Sequence, residues 1–408
     1  MTNHISVDAL VVGAGVAGLF ALDSLRRAGY SALLVERNAM GTGQTTSSQG
    51  ILHAGVKYSL GGLAGDDAAE AAAAAEMWVD MLSGAGAPNL SGVRVVAHEE
   101  FLWRTAGFMG AAGMLGAKLA LRTVPHKVVQ ADRPVWLAGA HGEVLRLRET
   151  VIDPQSLLQN LCALHAGALL HGEVRQIESS GESVRIDHAS GECVVRCKHL
   201  VLCAGEGNAA LLAMAGVAAA QPMQRRALRQ AMVRGNLPMV FGHCIDAAKT
   251  RVTITSDTCK QGVVWHVGGE LAEQGAALHA HEFVQRAAME ISACLPAVDL
   301  RGAQWSSYTV DRAEPRTSNN RRPSTAHVQR AGSCIVVWPV KLVMAPRAAQ
   351  RVVQVVRSAS VAKIAAASAG GEDDVRASEQ VGAQVWPAEC PIPTSAPRPW
   401  ETADWSVL

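Results

Sequence analysis

Three glycines and one acid carry the first recognisable chemistry. Gly13-Ala14-Gly15-Val16-Ala17-Gly18 follows the apolar, β-branched run Val7 to Val12 and precedes a helical pattern from Leu19 to Arg27; a second apolar run, Ala32 to Val35, ends in Glu36. Strand, tight turn, helix, strand and acid in this order suit a dinucleotide. Gly13 permits the turn, Gly15 lets the backbone approach a pyrophosphate, and Gly18 lets helix and strand pack closely. The helix amino terminus adds N–H donors and a partial positive charge. Glu36 stands about twenty residues beyond the turn, where an acid meets ribose hydroxyls.

The elements that position these residues follow from patterning. A helix is predicted over Asp66 to Leu82, short strands and turns from Gly92 to Leu147, and a helix through His165 that Asp153 caps and Pro154 opens. Alternating runs at Glu173 to Glu178, Ser183 to His188 and Glu192 to Arg196 read as an antiparallel meander, followed by a buried strand, Leu200 to Ala204, that enters Gly205-Glu206-Gly207. From Pro222 to about Val310, segments such as Met232 to Arg234 and Gly262 to Val267 predict a second sheet, interrupted by a helix near His281 to Ala293. Strand Cys334 to Trp338 then meets a helix from near Pro346 to Ala367, and the proline-rich stretch Ala388 to Trp400 reads as irregular.

Composition excludes several classes. With 408 residues, 49% hydrophobic and 18% charged, the chain buries a large core and is not a disordered polymer. Lys and Arg number 37 against 36 for Asp and Glu, a net charge of +1, so no global field gathers nucleic acid. The longest apolar stretches, such as Ala209 to Ala220, fall short of a membrane span, and Asp8 sits where a signal peptide needs an apolar core, which predicts a cytoplasmic protein. Nine scattered cysteines read as reduced, mostly buried thiols; Cys193 and Cys197 lack the spacing of a zinc site, and no metal is predicted.

The order of pieces resembles the FAD-dependent oxidoreductases of the D-amino acid oxidase family, among them glycine oxidase, L-2-hydroxyglutarate dehydrogenase and the FAD-dependent glycerol-3-phosphate dehydrogenase. The run Met40-Gly41-Thr42-Gly43-Gln44-Thr45-Thr46-Ser47-Ser48-Gln49-Gly50-Ile51-Leu52-His53-Ala54-Gly55 is similar to the family's second flavin-contacting loop. His199 to Gly205 resembles its late nucleotide strand, Thr309 to Pro315 the segment before the last flavin contact, and Trp338 to Pro346 that contact. The resemblance implies an α/β fold: a Rossmann-like FAD-binding domain from residues 1–90, 150–220 and 310–370, a substrate domain on a mainly antiparallel sheet from 91–149 and 221–309, and an irregular tail, 371–408. It implies FAD contacts at Gly13, Gly15, Val16, Gly18, Glu36, Arg37, Gln44, Thr45, Thr46, Ser48, Gln49, Gly50, Ile51, Val174, Ala204, Gly205, Lys341, Leu342 and Val343.

Two departures stand out. Lys341 and apolar residues replace the glycines that relatives carry in the last loop, and Ser306 or Ser307 stands where relatives carry an arginine. A Lys341 cation beside the flavin would favour its electron-rich reduced form. His53 has three readings: base or substrate contact, structural residue, or covalent flavin attachment. Lys57 and Tyr58 extend its segment, and Lys57 or Arg312 would anchor an anion. The expected activity is hydride transfer to flavin N5 from a small anionic hydroxy acid, amino acid or secondary amine, with oxygen or a quinone as acceptor. The alternative is a flavoprotein subunit, holding a partner, whose FAD is structural.

Overall fold

The computed structural model describes residues 3–53, 66–105, 126–217, 223–246, 249–317, 323, 325–339, 341–370 and 385–408. In the first half these form β1 (Asn3–Val12), α1 (Val16–Arg27), β2 (Ala32–Glu36), β3 (Ile51–Leu52), α2 (Asp66–Ser83), β4 (Val95–Ala97), β5 (Glu100–Arg104), β6 (His126–Val128), β7 (His141–Leu147), β8 (Thr150–Ile152), α3 (Pro154–Leu164), β9 (Leu169–Ile177), β10 (Ser183–His188) and β11 (Gly191–Leu202). The second half adds α4 (Asn208–Met214), β12 (Met223–Gly235), β13 (Gly242–Asp246), β14 (Lys249–Cys259), β15 (Gly262–Gly268), α5 (Glu270–Gln274), α6 (Ala280–Cys294), β16 (Gln304–Pro315), β17 (His327–Ala331), β18 (Cys334–Trp338), α7 (Ala345–Gly370) and β19 (Ser406–Val407).

β1 lies between β2 and β11 and runs parallel to both, and β18 extends the parallel set beyond β11. Strands buried on both faces need unbroken apolar runs, which Ala9 to Val12, Ala32 to Val35 and Leu200 to Leu202 supply. Asp8 is the exception within β1. Its carboxylate accepts from Ser31 N–H at 2.9 Å, Ser31 Oγ at 2.8 Å and Lys198 Nζ at 2.8 Å, so the charge leaves the core satisfied. The meander and the late strand are not separate: Glu192 to Leu202 is one strand, β11, pairing with β10 along its first half and with β18 at its end. Helices α1 and α7 pack together over the sheet.

Among the described residues the second sheet has nine strands in the order β19-β16-β12-β15-β14-β13-β5-β7-β6, with every pairing antiparallel except β13 to β5. Its core gathers Trp103, Trp136, Trp265, Trp305 and Phe283. α6 covers it with Phe283, Val284, Ala287 and Ile291, the spacing of one helical face. A small third sheet, β3-β8-β4, adjoins the first core.

The final segment, 385–408, ties back to both large sheets. Trp386 Nε1–H donates to Ala168 O at 3.0 Å, the Arg398 guanidinium pairs with Asp153, and β19 completes the edge of β16. None of the nine cysteines is in a disulfide, and burial pushes the Cys193 and Cys197 thiols up to about 12. Among the described residues no helix is long and apolar enough to cross a membrane.

Candidate active site

The turn after β1 uses its glycines for two different reasons. Gly13 has φ +107°, and a Cβ there would meet Cys203 O at 2.7 Å; one on Gly18 would meet Gly13 O at 1.8 Å. These two are demanded by the protein's own packing. A Cβ on Gly15 would meet only Thr45 Oγ1, at 3.3 Å, and otherwise projects into open space. Glu36 closes the turn from below: Oε2 accepts Ala14 N–H at 2.7 Å and Oε1 accepts Asn38 N–H at 2.8 Å.

The hydroxyl-rich loop between β2 and β3 wraps the same space. Val16 N–H donates to Thr45 Oγ1 at 3.2 Å, and Thr46 Oγ1 donates to Gly41 O at 3.0 Å. The loop is also fastened to the nine-stranded sheet. Gln44 Oε1 accepts Ala313 N–H at 3.0 Å, while Gln49 Nε2 donates to Thr253 O at 3.0 Å and His266 O at 2.8 Å. Ser47 O accepts from Gln230 Nε2 and from Tyr308 Oη, each at 3.2 Å. Tyr308 Oη in turn lies 2.6 Å from His266 Nε2, whose buried imidazole is pushed down to about 4.

Turn and loop enclose one cavity of about 800 Å³. Of the expected FAD contacts, Gly13, Gly15, Val16, Glu36, Arg37, Gln44, Thr45, Ser48, Gln49, Gly50, Ile51, Val174, Ala204, Gly205, Lys341, Leu342 and Val343 line it, as do His53 and Arg312. Gly18 and Thr46 stand behind its wall, packing the turn and the loop. Lys57 and Tyr58 lie outside the described residues. Arg312 already has a partner, Glu273, 3.6 Å away. Leu228 and Gln230 of β12 and Thr309 to Ala313 of β16 wall the far side.

The space fits FAD. The open approach to Gly15 and the carboxylate of Glu36 suit pyrophosphate and ribose, and Ser48 Oγ and Trp338 Nε1 are buried at the cavity wall with no hydrogen-bond partner among the described residues. Such groups call for a polar ligand.

Beyond the loop, His53 meets three residues that sequence patterning did not single out together. The antiparallel register Ile51 to Val151 and Leu52 to Thr150 brings His53 opposite Glu149, and His53 Nδ1 lies 3.0 Å from Glu149 Oε2. His243 in β13 is next, its ring centroid 5.5 Å from that of His53 and its Nε2 3.3 Å from Glu100 Oε2. Burial alone would raise Glu149, yet His53 and His243 hold it below the ordinary carboxylate range; Glu100, equally buried, is pushed up to about 7 by burial, with His243 opposing and the neighbouring Glu149 charge adding to the rise. Positions 53, 100, 149 and 243 have no spacing that a sequence could reveal; only strand register joins them.

Comparison with known proteins agrees with the site. The model of the FAD-dependent oxidoreductase family, the D-amino acid oxidase family, matches residues 8–331. A probable FAD-dependent oxidoreductase of Pseudomonas aeruginosa is 38% identical over 363 residues, covering 86% of this chain and 91% of that protein. The crystal structure of an FAD-dependent oxidoreductase from the same organism matches with a TM-score of 0.75 at 32% identity, over 98% of this chain and 99% of that one. Glycine oxidase from Geobacillus kaustophilus (15% identity, TM-score 0.62, 87% and 95% covered) shares the fold. So does an FAD-bound L-α-glycerophosphate oxidase from Mycoplasma pneumoniae (13%, 0.63, 86% and 95%). With the glycine turn, Glu36 and the loop all meeting at one cavity, the chain belongs to the D-amino acid oxidase family and is an FAD-dependent oxidoreductase.

Proposed function

We propose that the protein takes a hydride from the C–H of a small anionic hydroxy acid, amino acid or secondary amine in the cytosol, with oxygen or a quinone reoxidising the flavin. The observation that carries this reading is the continuity of the cavity. It extends from the glycine turn and Glu36 to His53, Arg312 and the strands β12 and β16, so one space can hold a dinucleotide and a small molecule end to end. The structural neighbours include both an amine oxidant, glycine oxidase, and an alcohol oxidant, glycerophosphate oxidase, which supports both substrate classes.

FAD, when bound, supplies the redox chemistry by accepting hydride at N5. The chain's own residues orient and charge the site. Lys341 lines the cavity, and a cation there favours an electron-rich ring by Coulomb attraction enlarged where water is scarce. His53 contacts the substrate's hydroxyl or amine. Arg312 and, from the segment after His53, Lys57 and Tyr58 hold its anionic group, because an unpaired buried anion costs several kcal/mol. The same reading assigns 1–90, 150–220 and 310–370 to an FAD domain, 91–149 and 221–309 to a substrate domain, and 371–408 to a tail. The two large sheets fall largely on either side of that division, although β16 runs across the boundary at 310 and β19 joins the last residues to the nine-stranded sheet.

Anaerobic mixing with a panel of hydroxy acids, amino acids and N-alkyl amino acids tests it, read by loss of the oxidised flavin colour. Reduction by one class identifies the substrate. A flavin that no member reduces would instead favour a structural FAD in a partner-holding protein.

A further inference from the structure

The carboxylates of Glu100 and Glu149 are buried, at 0% and 1% residual exposure, beside two imidazoles at the edge of the flavin cavity. One ligand-type atom from each of His53, Glu100, Glu149 and His243 lies within 4.8 Å of all the others. Three edges of this group measure 3.0 Å (His53 to Glu149), 3.3 Å (His243 to Glu100) and 3.9 Å (His243 to Glu149). Four ligands about 2.1 Å from a tetrahedral ion stand roughly 3.4 Å apart. The measured edges bracket that value.

We propose that His53, Glu100, Glu149 and His243 form a binding site for a divalent transition metal of the Zn²⁺ class. Three further observations support it. Neither oxygen of the fully buried Glu100 makes an aligned hydrogen bond among the described residues, and its 3.3 Å contact with His243 Nε2 balances its charge only when that imidazole is protonated. Two carboxylates and two neutral imidazoles are balanced by one dication, and imidazole with carboxylate suits Zn²⁺ and its neighbours. His243 Nδ1 lies 2.9 Å from Thr253 Oγ1, the outer contact that turns Nε2 inward. Four protein ligands make a closed, structural site. Bound through Nδ1, His53 would carry its proton on Nε2 and meet the substrate as a hydrogen-bond donor.

The site does not depend on which substrate the flavin oxidises. Untagged, FAD-loaded protein is equilibrated with buffered Zn²⁺, passed through a desalting column and analysed by elemental mass spectrometry, with flavin content read on the same sample. The expected result is one zinc per chain, lost at least tenfold in His243→Gln and in Glu100→Gln while flavin stays bound. Zinc no higher in the wild type than in these variants would overturn the site. Should either variant fail to fold, Co²⁺ added to the wild type decides. Intense d–d bands of a four-coordinate ion, on the red side of the flavin absorption, support the site, and the pale spectrum of hydrated cobalt overturns it. Flavin loss with metal retained would count against the FAD residues alone.

Discussion

Glu36 Oε2 accepts the Ala14 N–H at 2.7 Å, which locks the acid at the end of β2 to the turn at the end of β1. The nucleotide end is therefore one rigid unit, and its glycines can be told apart by experiment. Gly15→Val should leave a folded, colourless protein, because the added atoms enter the pyrophosphate space and not the core. Gly18→Val should fail to fold normally, since a Cβ there would lie 1.8 Å from Gly13 O. Far-ultraviolet circular dichroism and the ratio of flavin to protein absorbance check both; equal flavin retention in the Gly15 variant would sink the assignment.

Tyr308→Phe removes the hydroxyl that joins Ser47 O to His266 Nε2. Leaving a buried partner unsatisfied costs about 1–3 kcal/mol. The expected outcome is a lower Tm and faster FAD release, because the same loop lines the cavity. Unchanged release kinetics would show that the loop is held adequately by Gln44 and Gln49.

His266 makes stability depend on pH. Burial pushes its imidazole down to about 4, so between that value and the ordinary 6.5 the unfolded chain binds a proton that the native protein does not. Stability is then fully present above about pH 6.5 and falls as pH drops towards 4, by up to about 3 kcal/mol. Urea unfolding at pH 7.5 and pH 5 should show a larger loss in the wild type than in His266→Gln. Equal losses would mean that the imidazole titrates normally.

Lys341→Met should lower the flavin midpoint potential, because the reduced ring would lose a nearby cation. Each 1.4 kcal/mol of lost stabilisation corresponds to about 30 mV for a two-electron couple. Spectroelectrochemical titration of the bound flavin measures this without a substrate. A potential unchanged within error would place the ammonium away from the ring.

Local patterning made the nucleotide end legible. Gly13, Gly15, Gly18 and Glu36 lie within one strand-turn-helix-strand unit, so short-range spacing carries their geometry. The division of labour within the loop was not legible: Gln44 and Gln49 read as cofactor contacts, yet their amides hold Ala313, Thr253 and His266, which adjoin them only through the second sheet. Nor could patterning unite Glu100, Glu149 and His243 with His53. Glu100 and His243 are ordinary polar residues on short strands and Glu149 stands in the link between β7 and β8, and their meeting depends on the pairings of β3 with β8 and of β5 with β13.

The hydrogen bonds from Gln44, Ser47 and Gln49 to β14, β15 and β16 and to the side chains of β12 and β16 also bear on motion. A hinge that swung the two large sheets apart would have to break these bonds together and strip the loop from the cavity wall. Ligand entry is therefore expected to proceed by local displacement of a surface segment, with the sheets staying docked, and the barrier to exchange should track the stiffness of that segment.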